Sequence, residues 1–198
     1  MAAIIAILLV IGIVLYESLK GSSTADIFST GTPSGDSTTV YQNDNTGDGG
    51  LSPVDIGGVS LSIPSGLLQW RPLAEKYAQR FSILDPEEIL AIIWNESSGN
   101  PNANNPNDPS WGLMGVTMLI GSAYAGVTSY QELLIPEKNV IAGSAFLAHL
   151  KATYSAQYPD TWSDGYNEGE TKLSQGIILT PGYSQAFNSH VNALKGIG

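Results

Sequence analysis

The chain contains no cysteine, which excludes disulfides, thiolate catalysis and any cysteine-based zinc or iron–sulfur site. Its only histidines, His149 and His190, stand without a carboxylate or cysteine at ligand spacing, so no metal and no cofactor are expected. Positive charge is also scarce. Eight Lys and Arg face 18 Asp and Glu, a formal charge of −10. That balance disfavours nucleic acid and anionic lipid as general partners. The shortage is uneven: residues 21–66 carry five aspartates and no base, whereas the chain from Leu67 onward holds 7 bases and 12 acids.

Long apolar runs are missing too, with one exception. Residues 2–16 are unbroken apolar sequence apart from Gly12. A membrane-spanning helix needs about 20 residues, roughly 17 at the lower limit, and residues 1–20 reach that length if their polar flank snorkels. A membrane anchor is the expectation for residues 1–20. A secretory signal peptide is the main rival, with Ser23-Thr24-Ala25 as a weak cleavage site, but no Lys or Arg precedes the apolar run. A buried core helix is the third reading.

Residues 21–66 are rich in Gly, Ser, Thr, Asp, Asn and Pro and poor in large apolar side chains. Such a stretch cannot bury enough surface to offset its ordering entropy and reads as a flexible linker. Its mean reach as a coil is roughly 35–40 Å, and about 150 Å fully extended. Within it, Val54, Ile56, Val59, Leu61 and Ile63 form a short apolar patch that alternates with polar residues, the pattern of a strand or strap packed on the following domain.

From residue 67 to 198 the periodicity is helical. Leu67, Trp70, Leu73, Ala74, Tyr77 and Phe81 recur at helical spacing, with Pro72 placing the helix start near Arg71. Asp85-Pro86-Glu87-Glu88 joins a capping residue, a proline and two acids, a strong helix start. Ile89, Ile92 and Ile93 follow as a buried stripe, and Gly99 is the expected end. Pro136 opens a further helix, and two more are expected over 161–175 and 181–194. No alternating strand is evident after Leu67, so a mainly α domain is expected.

One acidic side chain stands out. Glu96 continues the stripe of Ile92 and Ile93, with Trp94 beside it and no base within ten residues on either side. A carboxyl group on an apolar stripe is costly unless it has work to do, and poor solvation is expected to raise its pKa toward the range of a general acid. A helix-end carboxylate simply in solvent is the plainer alternative. The Asn/Pro loop of residues 100–109 follows, and then Gly112-Leu113-Met114 opens another apolar segment.

Three ordered elements carry a resemblance. Glu96-Ser97, Asn100-Pro101 and Gly112-Leu113-Met114 form the first. Asn139, Gly143 and Phe146-Leu147 form the second, and Tyr166-Asn167-Glu168-Gly169 the third. Together they resemble the soluble-lytic-transglycosylase family, the goose-lysozyme-like enzymes that cleave bacterial peptidoglycan. The pair Gly182-Tyr183 after the third element is similar to phage-borne members. The chain departs from the family at Gly115, where the family usually has a cleft-lining Gln.

The resemblance implies a lysozyme-like helical domain with a deep cleft, preceded by the transmembrane helix and flexible linker. It implies Glu96 as the catalytic acid, with Ser97, Met114, Asn139, Tyr166 and Asn167 as substrate-binding positions. Plainer roles stand beside these: Ser97 as a helix-end cap, Met114 as packing under the cleft, Asn139 as a loop brace, Tyr166 as a core residue, and Asn167 and Gly169 as turn formers. Trp111 and Trp162 can stack on sugars or fill the core. Direct hydrolysis needs a second carboxylate, roughly 6.5–9.5 Å from the acid for inversion or about 5–5.5 Å for retention. Asp108 is the candidate, although its Asn-Asp-Pro-Ser setting favours a turn. A single acid suits substrate-assisted cleavage, which the resemblance implies, with a 1,6-anhydromuramyl product.

The expected partners are peptidoglycan glycan strands, a membrane through the N-terminal helix, and other proteins of a virion or secretion complex. The anchor and the phage-like third element point to a virion component that opens the cell wall during DNA entry. A bacterial wall-remodelling enzyme of a secretion or conjugation system, a hydrolytic lysozyme and a silent wall-binding protein are the alternatives.

Overall fold

The computed structural model describes residues 54–56, 59–105, 109–177, 180 and 182–197. The expected anchor and most of the linker lie outside these residues, as does Asp108. Among the described residues no helix is long and apolar enough to cross a membrane.

A short antiparallel hairpin comes first, β1 (Val54–Ile56) and β2 (Val59–Leu61), with Asp55 opposite Ser60. A 3-10 turn at Leu68–Trp70 leads into α1 (Arg71–Arg80), where the fixed φ of Pro72 suits the first turn. Packing extends back beyond this turn, because Ile63 and Leu67 are both buried. The next helix, α2 (Pro86–Ser97), starts at Asp85, whose N–H donates to the Glu88 carboxylate at 2.8 Å.

Helix α2 is the centre of the core. Ile89, Leu90, Ala91, Ile92 and Ile93 are completely buried. Each large side chain among them contributes about 1.5–3 kcal/mol by leaving water. A helix apolar on every side must be surrounded, and here α1 packs on one flank and the last helix, α8 (Gly182–Lys195), on another. The hairpin strand β1 lies against α8. Helix α3 (Met118–Ala125), the short α4 (Tyr130–Leu133) and the long α5 (Pro136–Tyr154) complete the middle of the chain. Helix α5 packs on α1 and α3, and Lys151 on it reaches both oxygens of the buried Glu88 at 2.7 and 2.8 Å. The helical pattern over 161–175 resolves into α6 (Asp164–Glu168) and α7 (Glu170–Ser174), broken at Gly169.

Two expectations need correction. The domain is not free of strands after Leu67: β3 (Asn104–Asn105), β4 (Ser110–Trp111) and β5 (Val116–Thr117) form a small antiparallel sheet. Strands of two residues are too short to display alternation, and their Asn, Ser and Gly neighbours read as loop. Helix α2 also turns out of the helical conformation one residue before Gly99, at Ser98, the only described non-glycine residue with positive φ (52°). Left-handed backbone at a non-glycine residue costs roughly 1 kcal/mol, and here it falls beside the acid-bearing turn.

Candidate active site

Glu96 occupies the last turn of α2 and is half-buried. Opposite it runs the turn at residues 112–115, which joins β4 to β5. Three side chains fasten that turn from different sides. The fully buried Asn139 of α5 accepts the Met114 N–H at 2.8 Å and donates to the carbonyls of Trp111 (2.6 Å) and Leu133 (2.8 Å). Ser97 donates from Oγ to the Leu113 carbonyl at 2.7 Å and accepts the Gly99 N–H at 3.2 Å. Tyr166 donates its hydroxyl to the Met114 carbonyl at 2.9 Å.

Close approach between α5 and the turn depends on Gly143. A Cβ there would meet the Met114 sulfur and the Tyr166 hydroxyl, both at 2.7 Å. This accounts for a glycine four residues after Asn139: the asparagine can reach the turn only if the next turn of helix leaves space for it.

The Glu96 carboxylate has two unlike oxygens. Oε1 accepts a hydrogen bond from the Tyr183 hydroxyl at 2.6 Å. Oε2 rests against Gly115, where an added Cβ would lie 2.5 Å away; the glycine's φ of 55° also disfavours any side chain. Tyr183 and Tyr166 are both held well above the ordinary phenol pKa, chiefly by burial and then by the charge of Glu96. Both therefore remain protonated donors throughout the physiological range. A cavity of about 60 Å³ adjoins this carboxylate, lined by Glu96, by Gly112 and Gly115 of the turn, and by Ala103, Asn104, Asn105 and Ser110 around the small sheet. Space for a polar ligand thus opens where the turn carries no side chains.

The expected site residues separate into layers. Glu96 faces the cavity. Met114 and Asn139 are fully buried and neither lines the cavity, and Asn139 has the loop-bracing geometry. Ser97 and Tyr166 each bond to a backbone carbonyl of the turn. Asn167 is exposed and donates to the Thr180 hydroxyl at 2.9 Å, away from the cavity lining. Trp162 is core, edge-on to Phe187 with ring centroids 5.6 Å apart. Trp111 is half-buried against Tyr130 at 5.1 Å. His149 does have a carboxylate partner, Glu170 at 2.8 Å, which sequence spacing hides because 21 residues separate them. The contact missed altogether is Tyr183 to Glu96, 87 residues apart; the only signal was that Tyr183 follows the third element. The polar cavity wall of Asn104, Asn105 and Ser110 likewise carries no sequence signal beyond a loop composition.

An acid on the last turn of a buried helix, facing a glycine turn and two unionised tyrosines, fits the family described as the transglycosylase SLT domain, whose pattern matches residues 72–183. That match covers more than half of the chain, and the chain belongs to this family. Among characterised proteins it is similar to the endo-type membrane-bound lytic murein transglycosylase A of Salmonella paratyphi B, of Salmonella enteritidis PT4 and of Salmonella typhimurium. The identity is 35% over 91 residues in each case, covering 42% of this chain and 44% of the relative. The matched region is thus less than half the length of these relatives.

Proposed function

We propose that the protein is a peptidoglycan lytic transglycosylase in which Glu96 acts first as acid and then as base. The observation that carries this reading is the asymmetric carboxylate. Tyr183 stays protonated and donates to Oε1, so Oε1 is the accepting oxygen and the transferable proton sits on Oε2. Oε2 lies against Gly115, and both Glu96 and Gly115 line the cavity. In this reading a glycosidic oxygen bound in the cavity receives that proton.

In the proposed cycle Oε2 protonates the oxygen linking N-acetylmuramic acid to N-acetylglucosamine, and the C1–O bond breaks. The carbonyl oxygen of the muramyl N-acetyl group bonds to C1 and holds the developing positive charge. The Glu96 carboxylate then takes the proton of the sugar's own 6-hydroxyl. O6 attacks C1, the N-acetyl oxygen departs, and a 1,6-anhydromuramyl end results. Glu96 regains its proton and no water is consumed, so one acid suffices. The polar cavity wall of Asn104, Asn105 and Ser110 offers hydrogen bonds to sugar hydroxyls and amides.

The wider proposal is that residues 1–20 anchor the protein in a membrane and residues 21–66 act as a leash for the domain beginning near Leu67. The enzyme would then work in a virion entry device, opening the wall locally as DNA enters. A second reading, bacterial wall remodelling, is favoured by the bacterial sources of the relatives and by the words "membrane-bound" in their names. Assaying wall cleavage in purified virus particles and in host envelope fractions separates the two.

The decisive test of activity incubates the full-length chain with purified peptidoglycan and identifies the released muropeptides by mass spectrometry. Anhydromuramyl ends that disappear in Glu96→Gln are expected. Reducing ends would replace the reading with hydrolysis, and no release from folded protein would overturn enzymatic activity.

A further inference from the structure

Beside the acid's partner Tyr183 lies a buried polar cluster that the proposed chemistry does not use. Asp164, at the start of α6, is 1% exposed. Its Oδ1 accepts the backbone N–H of Ser184 at 2.8 Å, while Oδ2 is buried and has no partner among the described residues. Next to it the buried hydroxyls of Ser163 and Ser184 share a hydrogen bond of 2.7 Å. An acidic side chain in a dry interior with one oxygen unsatisfied costs free energy that an apolar residue of the same size would not. Such a position calls for a reason other than packing.

Its place in the chain supplies one. Ser184 is the residue after Tyr183, in the first turn of α8, where backbone N–H groups have no intrahelical acceptor. The Asp164 carboxyl supplies that acceptor from a different helix, and an acidic group is favoured at a helix start. Two residues beyond Asp164 on α6 stands Tyr166, the other tyrosine influenced by the charge of Glu96. One side chain therefore ties the backbone that presents Tyr166 to the backbone that presents Tyr183.

We infer that Asp164 is a positioning residue: by clasping the Ser184 N–H it sets the first turn of α8 so that the Tyr183 hydroxyl meets Glu96 Oε1. Asp164 touches neither the acid nor the cavity and acts only through Tyr183. The inference rests on the proposed activity for its kinetic consequence, but the geometry it asserts can be read without turnover.

The test uses the full-length chain with tyrosine labelled by ¹³C at Cζ, the Tyr183 resonance being identified by its loss in Tyr183→Phe. Asp164→Ala removes the acceptor. Asp164→Leu does the same with a side chain of the same branching and takes its place if the alanine variant does not fold. Asp164→Asn keeps one oxygen acceptor. The Tyr183 resonance is expected to move toward that of a free tyrosine in the alanine or leucine variant and to stay near its wild-type position in the asparagine variant. In parallel, kcat on peptidoglycan should fall about tenfold in the alanine or leucine variant with KM unchanged, and be recovered by asparagine. In a Tyr183→Phe background the same Asp164 substitution should change kcat by less than about twofold, because its route to the acid is already gone. An unmoved Tyr183 resonance, or an equal loss of kcat in both backgrounds, overturns the inference. If wild-type protein releases no muropeptides the activity reading fails, and the resonance alone still decides whether Asp164 places Tyr183.

Discussion

The acid is held from two sides, and the two are built differently. On the turn side, Asn139, Ser97 and Tyr166 make four hydrogen bonds to the backbone of residues 111–114, and Asn139 makes a fifth to the Leu133 carbonyl. On the α8 side, the carboxylate itself is met by one hydroxyl, that of Tyr183, which hangs from a helix start secured by a few buried polar groups. The turn is braced so many times over that it behaves as scaffold. The α8 side packs along α2 and reaches the Glu96 carboxylate directly through Tyr183. Substitutions on the first should appear as lost stability, and on the second as lost rate.

The largest effect that would sharpen this contrast is expected from Asn139→Ala. It strands the Met114 N–H and the Trp111 and Leu133 carbonyls in a buried place, at 1–3 kcal/mol each before relaxation, so a destabilisation of about 4 kcal/mol is expected in urea unfolding. A variant that keeps full stability but loses activity would break the contrast. Next comes Gly115→Gln, which restores the residue usual in the family. Because a Cβ there lies 2.5 Å from Glu96 Oε2, the substitution should displace the acid and lower kcat about 100-fold, as measured by anhydromuropeptide release. Tyr183→Phe should lower kcat about tenfold and leave the melting temperature nearly unchanged, since it removes one half-buried hydroxyl contact to the acid.

The smallest effect concerns His190 of α8, whose ring stacks on Trp94 of α2 at 3.9 Å and 2°. Burial lowers its pKa from 6.5 to about 4. Between those values the unfolded chain takes up a proton that the folded chain refuses, so this contribution to stability is complete above pH 6.5 and is lost as the pH falls toward 4. His190→Phe keeps a stacked ring without the titration. The drop in melting temperature between pH 7 and pH 4.5 should be smaller in this variant than in the wild type.

The helical frame was legible because it is written in local signals. Asp85-Pro86-Glu87-Glu88 starts α2 and Pro136 starts α5 where capping chemistry requires. Glu96 was legible for the same reason, as an acid on the stripe of Ile92 and Ile93. What could not be read were contacts that depend on how helices pack. Tyr183 meets Glu96 only because α8 lies along α2, and Asp164 meets Ser184 only because α6 abuts the start of α8. The absence of a side chain at Gly115 was visible, but its meaning required knowing which way the carboxylate turns. Asn139 illustrates the converse: the resemblance singled it out with substrate binding and loop bracing both open, and complete burial with three backbone hydrogen bonds gives it the geometry of a brace.

The separation of Glu96 from Tyr183 by 87 residues also has a meaning in time. At a synthesis rate of about 5–20 residues per second, the acid is made roughly 4–17 seconds before the residue that orients it. A nascent or prematurely ended chain carries Glu96 but lacks the hydroxyl that donates to its Oε1. The Glu96–Tyr183 contact therefore forms only when α8 has been made and has docked.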